Sequence, residues 1–367
     1  MTKAEVVVRA GTPDDYPAIA AVLDRTFCAR PYEQRVKLWR WRSENNPVRL
    51  PEIPGFLIAE LDGQIVGVHG LVPMRVKLGD RTVVASCSCD LAVDPSARSA
   101  GMKIKLKALS KELSALHIST SANEPANKIT LALGGKEIAH GRKKLLKPLK
   151  LSGLLTRSLR AKAGSVGAAI GTILGVRADW PMALGRLLTR YPQSPGAEVH
   201  SITRFDKRFD QFWSVVSKQH HIMVVRDSAY LNWRYAEYPF GGISSFGLYR
   251  GESLLGFAVM HRSIDEDKLP FVALLELYVL PDEPEAYEQL LGFVVKQSVN
   301  GGAHYIATRC STPKEEAILN RRGFRVRMMP FSPATYKNNT ELPAAFFADD
   351  RNWYLTLGDG DGCYYYD

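Results

Sequence analysis

One run of anchor residues occurs twice in this chain, and that repeat constrains the fold more than any compositional figure does. Trp41-Arg42 is followed five residues later by Pro47, and Trp233-Arg234 is followed at the same spacing by Pro239. Each copy then enters a hairpin pattern, with Gly63 and Gly67 in the first and Gly251 and Gly256 in the second. Asp90-Leu91-Ala92-Val93-Asp94-Pro95 lines up with Glu276-Leu277-Tyr278-Val279-Leu280-Pro281. Ile118-Ser119-Thr120 lines up with Ile306-Ala307-Thr308, and Pro125 to Gly135 has the spacing of Pro313 to Gly323. Anchors in one order predict two domains of one fold, at residues 1–140 and 200–367 (the second with a short tail), joined through 141–199. A chain of 367 residues, 46% hydrophobic, is long enough for two ordinary cores.

Within the first copy the richest stretch runs from Asp90 to Lys103. An apolar run ends at Pro95, Arg98 and Gly101 follow, and a Lys-rich helical pattern begins (Ile104, Leu106, Leu109, Leu113, Leu116). A strand that turns directly into a helix exposes the helix's first N–H groups, which is an anion site. Gly101 lets a phosphate approach the backbone, and Lys103, Lys105 and Lys107 add positive charge. A nucleotide pyrophosphate fits such a turn; an ordinary strand-to-helix turn is the competing reading, since a lone glycine loop is a weak motif. Around it, Val6-Val7-Val8-Arg9-Ala10 reads as a strand and Thr12-Pro13-Asp14-Asp15 as a helix start. Phe56 to Leu61 and Ile65 to Val72 read as a hairpin about Asp62-Gly63. A strand at His117 to Thr120 and a helix from Pro125 complete the order.

The Asp90–Lys103 stretch resembles the coenzyme A loop of the GNAT acyltransferases, Gln/Arg-x-x-Gly-x-Gly/Ala after a strand. Arg98 and Gly101 match it, whereas Lys103 stands where the family has a small residue. The order of elements over residues 5–140 resembles a whole GNAT domain. The resemblance implies an α/β fold of two GNAT-like domains, each a mixed, mostly antiparallel twisted sheet flanked by helices. It implies acetyl-CoA or a longer acyl-CoA as donor, with no metal. Leu91, Ala92 and Val93 would meet the pantetheine and carbonyl, and Arg98, Ser99, Ala100, Gly101, Met102 and Lys103 the pyrophosphate. Asn123 stands where the family has an Asn that contacts pantetheine. For a general base, Asp90 comes first, in the strand flanking the thioester, with an ion pair to Arg as the competing reading. His69 is second, against a structural strand His. Glu124 is third, against a helix start. The family's frequent general acid, a Tyr four residues before the last Gly, is Leu131 in the first half and Leu319 in the second.

The second copy lacks the loop: Asp282-Glu283-Pro284-Glu285 is acidic, has no Gly and would repel a pyrophosphate. Its opening phrase offers Arg226, Tyr230, Trp233 and Arg234 as acceptor-binding residues, with an interdomain contact as the alternative. That phrase and the closing Trp353–Asp361 run resemble bacterial tandem-GNAT proteins from exopolysaccharide gene sets. Asp359 and Asp361 read as a turn rather than a metal site.

Charge is uneven. The formal +10 of the chain is concentrated in 141–190, where eleven Lys/Arg face one acid, Asp179. Leu145, Leu149, Leu155, Leu159, Val166 and Ile170 recur there at three- to four-residue steps, a basic amphipathic insertion. It suits an anionic membrane surface, an acidic partner such as acyl carrier protein or tRNA, or a cover for the domain seam. Five Cys without paired spacing argue against a disulfide framework, and the N-terminus lacks a signal-peptide core. The expected location is cytoplasmic, with the inner membrane face as a further option. The reading is an acyl-CoA-dependent transferase acting on an amine or hydroxyl of a sugar, polysaccharide precursor or other small molecule. A Fem-type aminoacyl-tRNA-dependent transferase and a non-catalytic CoA-binding scaffold are the alternatives; nucleic acid enters only as tRNA in the first of these.

Overall fold

The computed structural model describes residues 6–27, 30–97 and 101–360. Its first sheet begins with β1 (Val6–Ala10), β2 (Phe56–Leu61), β3 (Gln64–Leu78), β4 (Arg81–Val93), β5 (Leu116–Ser119) and β6 (Lys136–Glu137). The turn between β2 and β3 has φ of 49° at Asp62 and 74° at Gly63, the left-handed pair that a two-residue Asp-Gly hairpin requires. Helices α1 (Tyr16–Thr26) and α2 (Tyr32–Ser43) cover one face, and α3 (Met102–Glu112) covers the other, followed by α4 (Glu124–Ala132). The faces follow from β-strand alternation: Val68 and Ala92 pack with Ile19, Val22 and Trp39, while Leu71 and Val93 pack with Met102 and Leu106.

The second sheet draws on β7 (Lys143–Pro148), β8 (Glu198–Ile202), β10 (Ile243–Arg250), β11 (Ser253–Ile264), β12 (Pro270–Val279), β13 (Tyr305–Thr308) and β14 (Arg325–Met328); β9 (Ile222–Val224), β15 (Thr335–Asn338) and β16 (Trp353–Tyr354) belong to the first. Its helices include α5 (Ser152–Leu188), α6 (Lys207–Val216), α7 (Ser228–Leu231), α8 (Pro284–Asn300) and α9 (Pro313–Arg321). The first sheet runs β1-β2-β3-β4-β5-β15-β6 and the second β8-β10-β11-β12-β13-β7-β14. The orders correspond strand for strand, all antiparallel except β4–β5 and β12–β13 in the main path. Each sheet takes its penultimate strand from the other half of the chain: β15 lies between β5 and β6, and β7 between β13 and β14.

That exchange corrects the boundaries expected from sequence. The segment 141–199 is not all linker, because Leu145 and Leu149 are fully buried in the second core instead of lining an insertion. A boundary at 200 likewise leaves β9, β15 and β16 in the first sheet. Only α5 stands as an insertion, a helical hairpin broken at Ala163-Gly164, where Gly164 has φ 57°. The largest apolar cluster joins both halves, from Trp41 and Val72 to Trp233, Phe257 and Tyr278. At its centre the repeat residues Trp41 and Trp233 stack at 5.0 Å, and each indole N–H donates to the other's backbone carbonyl at 2.8 Å. This reciprocity gives the two halves an approximate two-fold relation at the seam.

Candidate active site

Strand β4 is disturbed where the sequence placed the thioester. Its register to β3 moves from Gly70↔Cys89 to Val68↔Ala92, so Asp90 and Leu91 together oppose His69. Asp90 takes φ 47°, a β-bulge in the left-handed region that Asp tolerates better than bulky residues. Pairing of β4 with β5 covers only Ala85–Cys87 against Leu116–Ile118, while β4 continues to Val93. The two parallel strands are therefore laddered at one end only, which leaves a cleft between the bulge of β4 and the end of β5.

At the mouth of the cleft the turn into α3 is fixed from below. Asp94 accepts from Ser96 N–H (2.9 Å) and Ser96 Oγ (2.6 Å), and Arg25 of α1 pairs with it. These contacts hold its carboxyl down at about 2. Gly101, φ 70°, is the N-cap of α3 and has no side chain to cap it. An intrahelical bond runs from Lys105 N–H to Gly101 O at 2.9 Å, so the N–H groups of the residues just after Gly101 lie in the helix's first turn, ahead of the ladder. Met102 is buried under the sheet and Lys103 is half-buried. Ala92 and Val93 face the two cores and leave their backbones to line the strand, with Leu91 half-buried. Arg98, Ser99 and Ala100 lie outside the described residues. Asn123 is exposed and caps α4, its Oδ1 accepting from Ala126 N–H at 3.0 Å.

None of the three candidate bases stands as an open base. Asp90 lies 2.7 Å from Arg42 Nη1, and the two side chains are 6% and 1% exposed. Arg42 also sits 5.2 Å from the centroid of Phe56. Asp90 thus ties α2 to the bulge: it is a positioning residue for the strand that would meet the thioester. His69 is fully buried beneath α3, with Nε2 2.6 Å from Ser88 Oγ. Burial first, and Lys107 second, push its imidazole down to about 3, so it is neutral at physiological pH and a feeble base. Glu124 is exposed and pairs with Lys128 one turn on (2.9 Å). Leu131 is exposed and Leu319 buried, so neither half supplies the Tyr acid.

The four expected acceptor residues belong to the seam. Arg226 pairs with Glu276 (3.2 Å) and Asp359 (2.6 Å), all three side chains nearly fully buried. Trp233 stacks on Trp41, Tyr230 is buried beside it, and Arg234 donates to Gly358 O at 2.6 Å. A small acceptor cannot reach side chains enclosed in this way. Asp359 is a partner of Arg226, among the described residues no group of ligating side chains could hold a metal, and Asp361 lies outside them.

The corresponding opening in the second sheet is a cavity of about 180 Å³ between the end of β12 and α9, and the chain's own tail forms one wall of it through Tyr354. Strands β12 and β13 pair over Phe271–Ala273 and Tyr305–Ala307, and beyond that point Tyr354 packs against Tyr278 (4.9 Å) and donates to Glu315 (2.6 Å). Leu355 N–H donates to Ser311 Oγ at 2.6 Å, and Gly358 lies so close to Tyr235 and Glu276 that a Cβ there would meet their oxygens at 2.2 and 2.5 Å. This tail packing has no local signal in the sequence, and Arg42 stands out there only as a repeat anchor.

An acetyltransferase (GNAT) domain model matches residues 7–127, the segment holding the bulge, the cleft and α3. No curated protein matches the chain. Among solved structures, a GCN5-related N-acetyltransferase from Anabaena variabilis superposes with a TM-score of 0.58 at 11% identity, over 91% of this chain and 73% of that one. A probable N-acyltransferase from Enterococcus faecalis gives the same four values. A GCN5-related N-acetyltransferase from Kribbella flavida gives 0.54 at 14% identity, over 91% and 70%. At these identities the likeness is one of fold, and it extends over both sheets. Residues 7–127 thus match the GNAT acetyltransferase domain, and the chain as a whole has the fold of the GNAT N-acetyltransferases on which it superposes.

Proposed function

We propose that the chain is a tandem GNAT acyltransferase in which the first half alone binds acyl-CoA and passes the acyl group to an amine or hydroxyl of a sugar or polysaccharide precursor. The observation that carries this reading is the half-open pairing of β4 and β5 beside the uncapped start of α3. A pantetheine arm can lie along the unladdered end of β4, with its pyrophosphate on the N–H groups after Gly101. The acceptor nitrogen or oxygen attacks the thioester carbon, the C–S bond breaks, and the acceptor's proton and the thiolate are balanced through solvent. Backbone dipoles at the bulge polarise the carbonyl. The acidic turn Asp282-Glu283-Pro284-Glu285, which has no Gly at the corresponding opening of the second sheet, supports a single donor site. Thiol release from acetyl-CoA is the assay, run with amino sugars, neutral sugars and sugar phosphates. Acceptor-dependent release is expected; release with none of them, by a protein that binds acetyl-CoA, would overturn the transferase reading for this acceptor class.

A further inference from the structure

A cavity of about 160 Å³ opens where the two halves meet at the ends of β5 and β13. Thr120 and Ser121 run on from β5, Arg309 runs on from β13, and Lys143 and Lys144 begin the exchanged strand β7. By the internal repeat, Ser121 and Arg309 occupy equivalent positions, so the cavity lies near the approximate two-fold relation of the halves. Among the described residues no carboxylate lines it. Glu316 takes Lys143 at 2.6 Å from outside the lining. Thr120 is 4% exposed and its Oγ1 is buried with no hydrogen-bond partner. The local field is positive: after burial, Arg309 is the largest influence lowering both His140, to about 4, and Lys144. The volume equals roughly five waters.

We infer that this cavity binds a phosphate group carried by the acceptor. A guanidinium and two ammoniums around one orphaned hydroxyl suit a dianion with several acceptor oxygens. Because Thr120 continues β5 past its ladder with β4, a phosphate held there keeps its acceptor beside the donor cleft. This inference names the acceptor class of the donor reading above and rests on it. The test is calorimetric titration of inorganic phosphate into the full chain saturated with CoA, which occupies the donor cleft. The comparison variants are Lys144→Gln/Arg309→Gln and, as a charge control, Lys218→Gln. Phosphate binding that weakens at least about tenfold in the double variant and not in the control supports the site. Equal binding in all three, or none to the unaltered chain, overturns it. If CoA itself fails to bind, the donor reading falls, and the same phosphate comparison on the protein alone still decides the cavity.

The α5 hairpin presents a different surface. Gly167, Gly171 and Gly175 let its two helices touch: a Cβ at these positions would meet the backbone of Leu159, Leu155 and Ser152. Thr156 and Thr172 join across the contact at 2.9 Å. With glycine on the inner face, the apolar side chains point outward: Val166, Ile170, Ile173 and Trp180 share one helical face and are 66%, 48%, 59% and 77% exposed. Exposed Arg177 lies within this stripe and exposed Lys162 just before the break at Ala163-Gly164, and Asp179 is turned to the N–H of Leu151. No helix among the described residues is long and apolar enough to cross a membrane. We infer that this face lies on an anionic lipid surface, the occupant that matches both its apolar stripe and its positive charge. Flotation with vesicles of three parts phosphatidylcholine to one of phosphatidylglycerol should capture the chain. Ile170→Ser/Ile173→Ser/Trp180→Ser should reduce capture more than about tenfold, with its circular dichroism unchanged. No capture, or a stable dimer that the triple variant dissociates, overturns the inference.

Discussion

Asp90→Asn separates the two roles open to this carboxylate. Asn tolerates the left-handed conformation that Asp90 adopts, so the bulge itself is not strained by the change. What changes is charge: Arg42 is 1% exposed and its ion-pair partner is 6% exposed, so the substitution leaves a buried guanidinium without its counter-charge. Breaking such a pair costs about 3–5 kcal/mol. At about 2–4 °C per kcal/mol for a domain of this size, Tm should fall by about 6–20 °C. Arg42→Met/Asp90→Asn removes both charges and should recover most of that loss. Thermal unfolding followed by near-ultraviolet circular dichroism reads all three proteins. An unchanged Tm for Asp90→Asn, with turnover reduced by about a hundredfold or more, would refute the positioning role and make Asp90 the general base.

Other outcomes follow from the same geometry. His69, His140 and His220 are held by burial at about 3, 4 and 4, and burial lowers His117 well below its ordinary value. Above about 6.5 both folded and unfolded forms of these groups are neutral; below it the unfolded chain takes up protons that the fold refuses. Stability should therefore fall as pH drops from about 6.5 toward 4, by about 1.4 kcal/mol per pH unit for each histidine, and urea midpoints that stay level from pH 7.5 to 5 would contradict this. His69→Gln keeps a partner for Ser88 and should leave turnover within a few-fold and the pH profile unshifted; loss of a rate inflection would restore His69 as a base. Gly358→Ala forces a methyl against the Tyr235–Glu276 hydrogen bond and should cost about 1–3 kcal/mol in urea unfolding. An unchanged midpoint would mean that the tail does not pack against Tyr235 and Glu276 as described.

The sequence made the repeat, the hairpins and the strand-to-helix turn legible because each depends on local spacing. Asp62-Gly63 could only be a tight turn, and Gly101 has the positive φ that its place before a lysine-rich helix suggested. The exchanged strands were not legible: Lys143–Pro148 and Thr335–Asn338 carry the same local pattern whichever sheet receives them. Among site residues, Asp90 and His69 sit at the bulge, but side-chain type did not reveal that Arg42 holds one and that α3 buries the other. Arg226 and Arg234 show the same limit. Arg and aromatic residues suit a ligand or a seam equally well, and only the tail, more than a hundred residues away in sequence, decides between them.

The central claim is that the first half holds acyl-CoA between β4 and β5 with its pyrophosphate on α3. Titration calorimetry of acetyl-CoA and of a longer acyl-CoA, into the full chain and into Gly101→Asp, tests it most directly. The Asp carboxylate would place a negative charge at the start of α3 and repel the pyrophosphate while tolerating the φ of 70°. The account predicts micromolar binding of at least one donor to the unaltered chain and at least about a tenfold loss in the variant. Equal binding by both proteins, or none by the unaltered chain, would contradict it.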